Sequence, residues 1–362
     1  MEIMEKYLCE LLSFHSVSSD QNAVLMLLKY IKEKLQSHSI QSEILTYNGI
    51  HSLYASTNNT KHTSVLLQAH VDIVPSDGQN FRTKDGKAYG RGSYDMLYAV
   101  ACYLQLLDDA GSQLTDLDIG FMFSGDEELG GMNGVNKLLE DGYTTEICIL
   151  PDAGEGFGSL NIAAKGVYNC TIDVAGISHH GSRPWEGDGA AIKLIRLIAE
   201  IDTIFDRSSK DNSTCTVTTL KSGHATNQGP SSAQATLDIR YSDKNDLRRI
   251  KTLLSAALLK YDAKIIKLVE GDNYQLDMKN QHVQNFISLY EQHNGKEIRM
   301  TSAHGSSDAR FFYSKKIPVI MLRPKGGGAH GDNEWISWLE INKFYELLKD
   351  YVTNNTRAKE AL

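Results

Sequence analysis

The chain has 362 residues, a length that predicts two or three domains. Hydrophobic residues make up 41% and charged residues 23%, which excludes a disordered or collagen-like chain. The formal net charge is −8 without a basic stretch, so we expect no nucleic-acid binding. No apolar run approaches the ~20 residues of a membrane span, and the acidic N-terminal segment is unlike a signal peptide, which predicts a cytoplasmic protein without membrane attachment.

The five cysteines are widely separated, odd in number and form no CxxC pair. This spacing indicates neither a disulfide framework nor a thiolate zinc site. We expect them to be buried, reduced thiols. Any metal bound by this chain would therefore depend on histidine and carboxylate ligands.

The first 150 residues alternate between helical spacing and short apolar runs. Helical spacing over 24–35 follows a start signal at Ser19-Asp20. Further predicted helices lie at 97–107 and 135–139, and predicted strands at 64–68, 119–123 and 147–150. Strands separated by helices favour an α/β fold with a mostly parallel sheet flanked by helices.

The pattern changes near residue 165 to the order βαββαβ, which matches a ferredoxin-like arrangement. The predicted elements of this segment are strand 167–174, helix 190–204, strands 214–220 and 233–241, helix 246–259 and strand 264–268. Helix and strand alternate again at 283–290, 317–322 and from 342. We therefore predict a discontinuous α/β domain of residues 1–164 and 278–362, interrupted by a second domain at 165–277.

The first chemical motif is His70-Val71-Asp72, directly after a predicted strand. In open α/β sheets, ligands bind beyond the carboxyl ends of the strands. Residues i and i+2 of an extended segment point the same way, so His70 and Asp72 can face one site. A carboxylate beside a metal-binding histidine fixes its tautomer. The alternative for this motif alone is a hydrogen-bonded surface pair.

The second motif, Gly90-Arg91-Gly92-Ser93-Tyr94-Asp95, precedes a predicted helix. It differs from the dinucleotide-binding GxGxxG pattern because Asp95 replaces the third glycine. An NAD-dependent oxidoreductase therefore has weak support. An aspartate at the mouth of a sheet suits a bridge between two metal ions, and the alternative is a turn aspartate that caps the helix.

The third motif, Ser124-Gly125-Asp126-Glu127-Glu128, follows the predicted strand at 119–123. Three consecutive acids after a buried strand are electrostatically costly unless cations neutralise them. Adjacent side chains diverge, so one carboxylate can bind metal while its neighbour faces a water as a general base. The alternative is an acidic, solvated loop.

Two more motifs supply candidate ligands. Asp152 follows Pro151 after the strand at 147–150, and His330 follows a run of three glycines, 326–328. No GK[ST] follows those glycines, so a phosphate loop is disfavoured. Glycines allow backbone to pack closely round a metal ligand, although a lone loop histidine is usually a surface residue.

Together the motifs provide two histidines and three carboxylates, namely His70, Asp95, Glu128, Asp152 and His330. One bridging carboxylate plus two further ligands per ion makes a workable dinuclear site. Imidazole with carboxylate suits zinc, and also cobalt or manganese. Two divalent ions outweigh the charge of three carboxylates, which favours a bridging hydroxide and an anionic substrate.

The chain resembles the dinuclear zinc peptidases and deacylases that include acetylornithine deacetylase, succinyl-diaminopimelate desuccinylase, aminoacylase, glutamate carboxypeptidase and several dipeptidases. The motifs that carry the resemblance span nearly the whole chain in the order HVDIVP, GRGSYDM, SGDEE, PD, GISHHGSRP, NQGP, DIRY, SSDARFF and AHGDNEW. The resemblance implies that the inserted domain is a lid and a dimerisation module.

The resemblance also implies roles for the motif residues. Two metal ions would be held by His70, Asp95, Glu128, Asp152 and His330, with Asp95 shared. Asp72 would steady His70. Glu127 would be the general base that activates the bridging water and later protonates the leaving amine.

In the inserted domain, His180 lies four residues before Pro184 and resembles the lid histidine that stabilises the tetrahedral oxyanion, often across the dimer. The adjacent His179 is the alternative. Both histidines belong to the GISHHGSRP motif.

Three residues resemble groups that hold a substrate carboxylate: Asn227, Arg240 and Arg310. Arginine suits this role because its planar fork pairs bidentately with a carboxylate. The alternatives are a surface salt bridge for Arg240 and a pair with Asp308 at the edge of the core for Arg310.

The motifs give conflicting signals about the substrate. Asp152 stands where deacylases and carboxypeptidases usually have glutamate, and is more typical of aminopeptidase and dipeptidase members. SSDAR resembles the deacetylase and desuccinylase branch, and Leu97-Tyr98 replace the frequent Lys-Gly pair.

We predict a metal-dependent hydrolase of amide bonds in small N-acyl amino acids or short peptides with a free carboxylate. Its nucleophile would be metal-bound hydroxide, and it would form a homodimer through the lid. The alternatives are an aminopeptidase or dipeptidase of the same family, and a metal-binding scaffold protein without catalysis.

Overall fold

Helices and strands alternate over most of the chain in the computed structural model, which describes residues 2–76 and 80–355. The helices are α1 (Glu2–Leu12), α2 (Gln21–Ser37), α3 (Leu97–Ala110), α4 (Val135–Glu140), α5 (Ala190–Asp202), α6 (Lys244–Lys260), α7 (Gln281–Asn294), α8 (Ala309–Ser314) and α9 (Trp338–Asn355). Short 3₁₀ turns lie at Gly111–Asp116, Glu127–Leu129 and Pro184–Glu186.

The strands form five sheets within the described residues. They are β1 (Ser42–Tyr47), β2 (Ile50–Ser56), β3 (His62–His70), β4 (Arg82–Lys84), β5 (Lys87–Tyr89), β6 (Ile119–Ser124), β7 (Thr144–Ile149), β8 (Ser159–Ala164), β9 (Gly166–Ala175), β10 (His179–His180), β11 (Thr214–Ser222), β12 (Gln228–Gly229), β13 (Ser232–Tyr241), β14 (Ala263–Gly271), β15 (Tyr274–Gln275), β16 (Arg299–Ala303), β17 (Val319–Ile320), β18 (Gly326–Gly327) and β19 (Trp335–Ser337).

Two compact units divide the chain. One contains Met1–Ile162, Gln275–Ser302 and Ser307–Leu362, and the other contains Ala163–Tyr274 and Ala303–Ser306. The sequence placed these boundaries at 164/165 and 277/278. The outermost residues of the predicted range, 1 and 356–362, lie outside the described residues.

The larger unit is built on a six-stranded sheet in the order β1-β2-β6-β3-β7-β17. The pairs β6/β3, β3/β7 and β7/β17 are parallel, whereas β1/β2 and β2/β6 are antiparallel. The predicted mostly parallel sheet is confirmed. The β1–β2 hairpin was not predicted, because its strands carry a mixed polar pattern rather than a short apolar run.

Helices α3 and α2 belong to the same unit as this sheet, and the sequence explains why each forms. All residues of α3 from Leu97 to Leu107 are buried, and this helix packs against α1. An apolar surface round a whole helix is typical of a helix inside a core. Helix α2 is capped at its N-terminus by Asp20, whose carboxylate accepts hydrogen bonds from the backbone N–H groups of Asn22 and Ala23.

The smaller unit contains an antiparallel sheet in the order β14-β9-β13-β11. Its buried positions alternate along β9 and β13, as expected when one face of a sheet is covered. Residues of α5 and α6 complete the apolar core on that face. The element order and this strand order confirm the predicted ferredoxin-like βαββαβ arrangement.

A small antiparallel sheet in the larger unit has the order β18-β19-β5-β4. In it, Trp335 pairs with Tyr89 and Gly327 pairs with Trp335. The sheet therefore brings the GRG segment after β5 next to the segment between β18 and β19, which carries His330 and Glu334. This sheet was not predicted from the sequence.

Two expectations drawn from composition can be compared with the structure. Among the described residues, no helix is both long and apolar enough to pass through a membrane. The cysteines are free thiols, of which Cys102, Cys148 and Cys170 are buried. The expectation of burial is wrong for Cys9, which lies exposed on the short N-terminal helix.

Candidate active site

Three strands of the larger sheet end side by side and carry the candidate site. Strands β3, β6 and β7 are parallel, and His70 at the end of β3 is in register with Ser124 at the end of β6. The segments that follow these strands therefore leave the same edge of the sheet. This edge is where ligands bind in open α/β sheets.

His70 is 1% exposed, and both of its ring nitrogens have partners. Nδ1 lies 2.9 Å from the backbone carbonyl oxygen of Asp72 and 3.6 Å from its Oδ1. Nε2 lies 3.2 Å from Asp95 Oδ1 and 4.0 Å from Asp152 Oδ1. A proton on Nδ1 donates to the carbonyl and leaves the Nε2 lone pair directed at the carboxylates, as a metal ligand requires.

The Asp72 carboxylate does more than the sequence predicted. It accepts hydrogen bonds from the backbone N–H groups of Glu127 at 3.1 Å and Glu128 at 3.2 Å, and from Ser18 Oγ at 2.8 Å. The carbonyl of Asp72, rather than its carboxylate, is the nearer partner of His70. The buried carboxylate thus fixes the turn that carries the two glutamates.

Asp95 lies between the two candidate histidines. Its Oδ1 is 3.2 Å from His70 Nε2, and its Oδ2 is 3.4 Å from His330 Nε2. His330 Nε2 is also 3.0 Å from Glu128 Oε1. The potential ligand atoms form two groups, His70–Asp95–Asp152 and Asp95–Glu128–His330, each within 4.8 Å. The structure thus brings together all five predicted metal ligands, and Asp95 is common to both groups.

The loop that presents His330 depends on unusual backbone angles. His330 has φ +60°, and its side chain is 53% exposed. Gly328 has φ +71°, and a Cβ there would lie 2.5 Å from the carbonyl oxygen of Asn333. The glycine run therefore permits close backbone packing, as the sequence suggested.

The carboxylates of the site are crowded. Burial raises the pKa of Glu128 to about 7 and that of Asp152 to about 6. Burial would also raise the pKa of Asp95, but hydrogen bonds with His330 and His70 hold it well below its usual value. The hydrogen bond with Asp95 in turn raises the pKa of His330 to about 9. The acids need positive charge nearby to ionise together.

Glu127 lies outside both ligand groups but close to them. Burial and the neighbouring charge of Asp152 raise the pKa of Glu127 well above its usual value, and the charge of His70 acts in the opposite direction. Its backbone N–H is held by Asp72 while Glu128 next to it joins the His330 group. Of the two adjacent glutamates, Glu128 is therefore a member of a ligand group and Glu127 is not.

The donor set fits two divalent cations. Each group offers imidazole and carboxylate, the combination that suits zinc, cobalt or manganese, and neither contains a cysteine. Two cations would favour the ionised forms of Glu128 and Asp152, whose pKa is raised first by burial and further by the charge of Asp95. The site chemistry thus agrees with the ligand types expected from the sequence.

Arg310, the predicted clamp of the larger unit, lies beside the glutamate turn. Its guanidinium nitrogen Nη2 donates to the carbonyl of Gly130 at 2.5 Å. Its charge also lowers the pKa of Asp308, although burial, the larger influence, raises that pKa to about 7. In this structure Arg310 is thus a support of the turn at Glu127–Leu129.

The predicted lid residues belong to the smaller unit. His180 pairs with Gln228 in the β10–β12 ladder, and Gly181 N–H donates to the carbonyl of Asn227. The structure thus brings His180 and Asn227 onto neighbouring segments. His180 is exposed, with Nδ1 2.8 Å from Ser182 Oγ.

The other two residues considered in this unit have their own contacts. The His179 ring packs against Gly229, where a Cβ would lie 2.2 Å from its Cε1. Arg240 Nε donates to Asp238 Oδ1 at 2.8 Å. Arg240 thus forms the ion pair that the sequence analysis held as the alternative to substrate binding.

Sequence reasoning missed several residues that hold the site together. The Tyr98 hydroxyl donates to the Pro151 carbonyl at 2.5 Å, and Arg91 pairs with Glu334 at 2.6 Å. Arg91 and Glu334 both stand inside quoted motifs, GRGSYDM and AHGDNEW. The opposite charges of these two residues could have suggested an ion pair. The sequence does not show, however, that the two side chains lie close together.

The chain is similar to known proteins over most of its length. Residues 66–354 match the family described as Peptidase family M20/M25/M40. The succinyl-diaminopimelate desuccinylase of Rickettsia bellii is 25% identical over 379 aligned positions, covering 96% of this chain and 95% of that enzyme.

Two solved structures share the fold. A tripeptidase from Staphylococcus aureus has a TM-score of 0.84 and 17% identity, with 99% of each chain covered. An M20 family metallo-carboxypeptidase from Sulfolobus solfataricus has a TM-score of 0.77 and 18% identity, covering 97% of this chain and 99% of that one. With the match over residues 66–354, the resemblance seen in the motifs is confirmed: the chain belongs to peptidase family M20/M25/M40 and is a hydrolase of that family.

Proposed function

We propose that this hydrolase cleaves an amide bond in a small N-acyl amino acid or short peptide with a free carboxylate, using two divalent metal ions. The observation that carries the proposal is the position of Asp95, whose two carboxylate oxygens face two different histidines. An isolated acidic loop or a surface histidine pair would not place one carboxylate between two complete ligand groups. Zinc is the expected metal, with cobalt and manganese as alternatives.

His70 and Asp152 would hold one ion, Glu128 and His330 the other, and Asp95 would be shared. Bound there, such ions polarise the substrate carbonyl and lower the pKa of water towards neutrality. The positive charge also allows the crowded carboxylates to ionise together.

Glu127 is the general base in this proposal. Its carboxyl lies in a buried, acid-rich environment, which raises its affinity for a proton. It takes a proton from the attacking water and returns it to the leaving amine, so no net proton is lost to solvent during the step. Asp72 supports both partners, since its carbonyl orients His70 and its carboxylate holds the Glu127 backbone.

The smaller unit supplies the groups that recognise the substrate. His180 is exposed and His179 is packed against glycine backbone, which favours His180 as the donor to the oxyanion. Asn227, on the neighbouring segment, and Arg240, beside Asp238, are the proposed contacts of the substrate carboxylate in this unit. In the larger unit the proposed carboxylate contact is Arg310, which in this structure also supports the turn at Glu127–Leu129.

The smaller unit also forms the homodimer contact. Ile192 and Ile195 on α5 are 54% and 55% exposed, and Leu220 on the edge strand β11 is 55% exposed. Exposed apolar side chains and an unpaired strand edge are typical of association surfaces. A dimer through this unit would cover both.

A peptidase specific for free amino termini is the second candidate function. It is favoured by Asp152, the residue found at this ligand position in aminopeptidase and dipeptidase members. The similar tripeptidase fold is compatible with this reading. A scaffold protein without catalysis is disfavoured by the presence of Glu127 beside the ligand groups, since metal binding alone does not need a base.

A substrate panel on metal-loaded protein tests these candidates. We expect turnover of N-acetyl or N-succinyl amino acids, and loss of turnover when the substrate carboxylate is amidated. Turnover confined to dipeptides and tripeptides with free amino termini would support the second candidate. Protein that binds two ions but hydrolyses none of these compounds would support the scaffold alternative.

A Glu127→Gln variant tests the proposed base. We expect kcat to fall by about 10²- to 10⁴-fold while two ions stay bound, because the change removes a proton acceptor and not a ligand. Glu140→Gln, the same change at an exposed position on α4, is the control and should leave kcat unchanged. A Glu127→Gln enzyme with wild-type kcat would show that another group moves the proton.

A further inference from the structure

Arg91 and Glu334 form a buried ion pair next to the candidate metal site. Arg91 Nη1 lies 2.6 Å from Glu334 Oε2, and the two side chains are only 4% and 0% exposed. They are 243 residues apart in sequence, and each belongs to a different loop. Neither residue is a member of a ligand group.

The remaining hydrogen bonds of the pair reach the loops that carry two of the ligands. Glu334 Oε1 accepts from the backbone N–H groups of Tyr94 at 2.8 Å and Asp95 at 3.0 Å. Arg91 Nη2 donates to the carbonyl of Gly331, the residue after His330, at 3.0 Å. The ion pair therefore connects the backbone at Asp95 to the backbone beside His330.

Stability alone is a poor reason for such a pair. Removing two charges from water is costly, and well-packed apolar residues of similar volume often make a protein as stable or more stable. A short, charge-assisted hydrogen bond between two buried side chains instead fixes geometry closely. The backbone groups that this pair holds in place therefore indicate its role better than its contribution to stability does.

We propose that Arg91 and Glu334 are a positioning pair that sets the separation of Asp95 and His330 for metal binding. The inference rests on the proposed function. Asp95 must present one oxygen to each histidine, so a small rotation of its backbone would disturb both ligand groups. His330 is half exposed, and the hydrogen bond from Arg91 to the Gly331 carbonyl holds the backbone directly after it.

A double variant, R91M/E334Q, separates positioning from stability. It removes both charges and nearly keeps both volumes, so neither a buried charge nor a large cavity is left behind. We expect the unfolding midpoint of the metal-free protein to stay close to that of wild type. Co²⁺ titrated into the folded, metal-free variant should bind about 10- to 100-fold more weakly, with altered visible absorption bands.

The control is K137M/E140Q, which likewise replaces a cation by methionine and a glutamate by glutamine, but in a surface ion pair. Lys137 Nζ and Glu140 Oε2 are 2.6 Å apart on α4, and the side chains are 37% and 44% exposed. We expect wild-type Co²⁺ affinity and spectrum in this control. A merely structural Arg91–Glu334 pair would give the opposite pattern in R91M/E334Q, with lower stability but unchanged Co²⁺ affinity and spectrum of the folded fraction, and would overturn the proposal.

Glu334→Asp is the second variant, in case the double variant does not fold. It keeps the charge that pairs with Arg91 but withdraws the oxygen that holds Tyr94 and Asp95 by one methylene. Weaker Co²⁺ binding in the folded variant supports positioning, and wild-type binding overturns it. If neither variant folds, the pair is structural and the proposal is wrong. Wild-type protein that fails to bind Co²⁺ would instead overturn the proposed function itself, and this inference with it.

Discussion

The two ligand groups share Asp95 but lie in different surroundings. His70 is almost fully buried at the end of a central strand, and its Nδ1 is held by a backbone carbonyl. His330 is half exposed, has a positive φ and belongs to a glycine-rich loop. One group is thus built on the sheet, and the other depends on a loop.

The same ligand chemistry in different surroundings leads to different expected metal affinities. A ligand that is already fixed in its binding geometry loses little freedom when the ion binds, whereas a loop ligand must be ordered. We therefore expect the ion near His70 to bind more tightly and the ion near His330 to exchange more readily. Variants of the shared ligand and of each histidine test this expected difference in metal affinity.

Asp95→Asn has the largest expected effect, because it removes the carboxylate that both groups use. We expect both metal affinities to fall and kcat to decrease by at least about a thousandfold, since metal ions contribute several kcal/mol to the transition state. Metal analysis after dialysis, together with kcat, measures the effect. A variant that lost only one ion would show that Asp95 belongs to one group alone.

A pair of variants, His70→Asn and His330→Asn, compares the two groups directly. We expect His330→Asn to keep one tightly bound ion and normal metal-free stability, since asparagine tolerates positive φ. His70→Asn should lose the tighter ion and about 1–3 kcal/mol of metal-free stability through its buried hydrogen bonds. Metal stoichiometry measures the number of bound ions, and urea unfolding measures the metal-free stability of each variant. Equal metal loss in both variants would remove the proposed difference in affinity.

Tyr98→Phe tests the support of the sheet-based group. The hydroxyl of this buried residue donates to the Pro151 carbonyl, next to Asp152. We expect about 1–3 kcal/mol lower stability and about 10-fold weaker binding of the tighter ion. The control is Tyr351→Phe, which removes a similar bond, to the His282 carbonyl, within α7 and α9. If both variants bind metal normally, Tyr98 has only a structural role.

The same contrast explains which features could be predicted from the sequence. His70, Asp152 and the glutamate turn follow short apolar runs, and the parallel register of β3, β6 and β7 makes strand ends meet. Local patterns therefore placed the sheet-based ligands. His330 was found through its motif, while its approach to Glu128 depends on long-range packing that no local pattern encodes.

The supporting contacts were the hardest to predict. Glu334 looks like an ordinary acid in a polar loop, yet it is fully buried because Arg91, from a distant segment, neutralises it. Likewise, the sequence shows Tyr98 only as one residue of a largely apolar helix. The structure shows that its hydroxyl donates a hydrogen bond to the Pro151 carbonyl. Such pairings are decided by tertiary packing, and a single sequence does not carry the distances.

Asp308→Asn has the smallest expected effect. It tests whether the buried carboxyl of Asp308, near the turn that carries Glu128, is protonated in the folded protein. Burial and the charge of Asp126 raise the pKa of Asp308 from 3.8 to about 7. Between these values the folded state holds a proton that the unfolded state has released, so this residue makes stability fall as pH rises from about 4 to 7.

Asparagine cannot titrate, so the variant should lose this part of the pH dependence. We expect the metal-free stability of Asp308→Asn, relative to wild type, to be more favourable at pH 8 than at pH 5, as measured by urea unfolding. Asp85→Asn, at an exposed turn with positive φ, is the control and should show no such trend. A parallel pH profile for wild type and Asp308→Asn would mean that Asp308 ionises normally and that the turn carrying Glu128 has no protonated acid behind it.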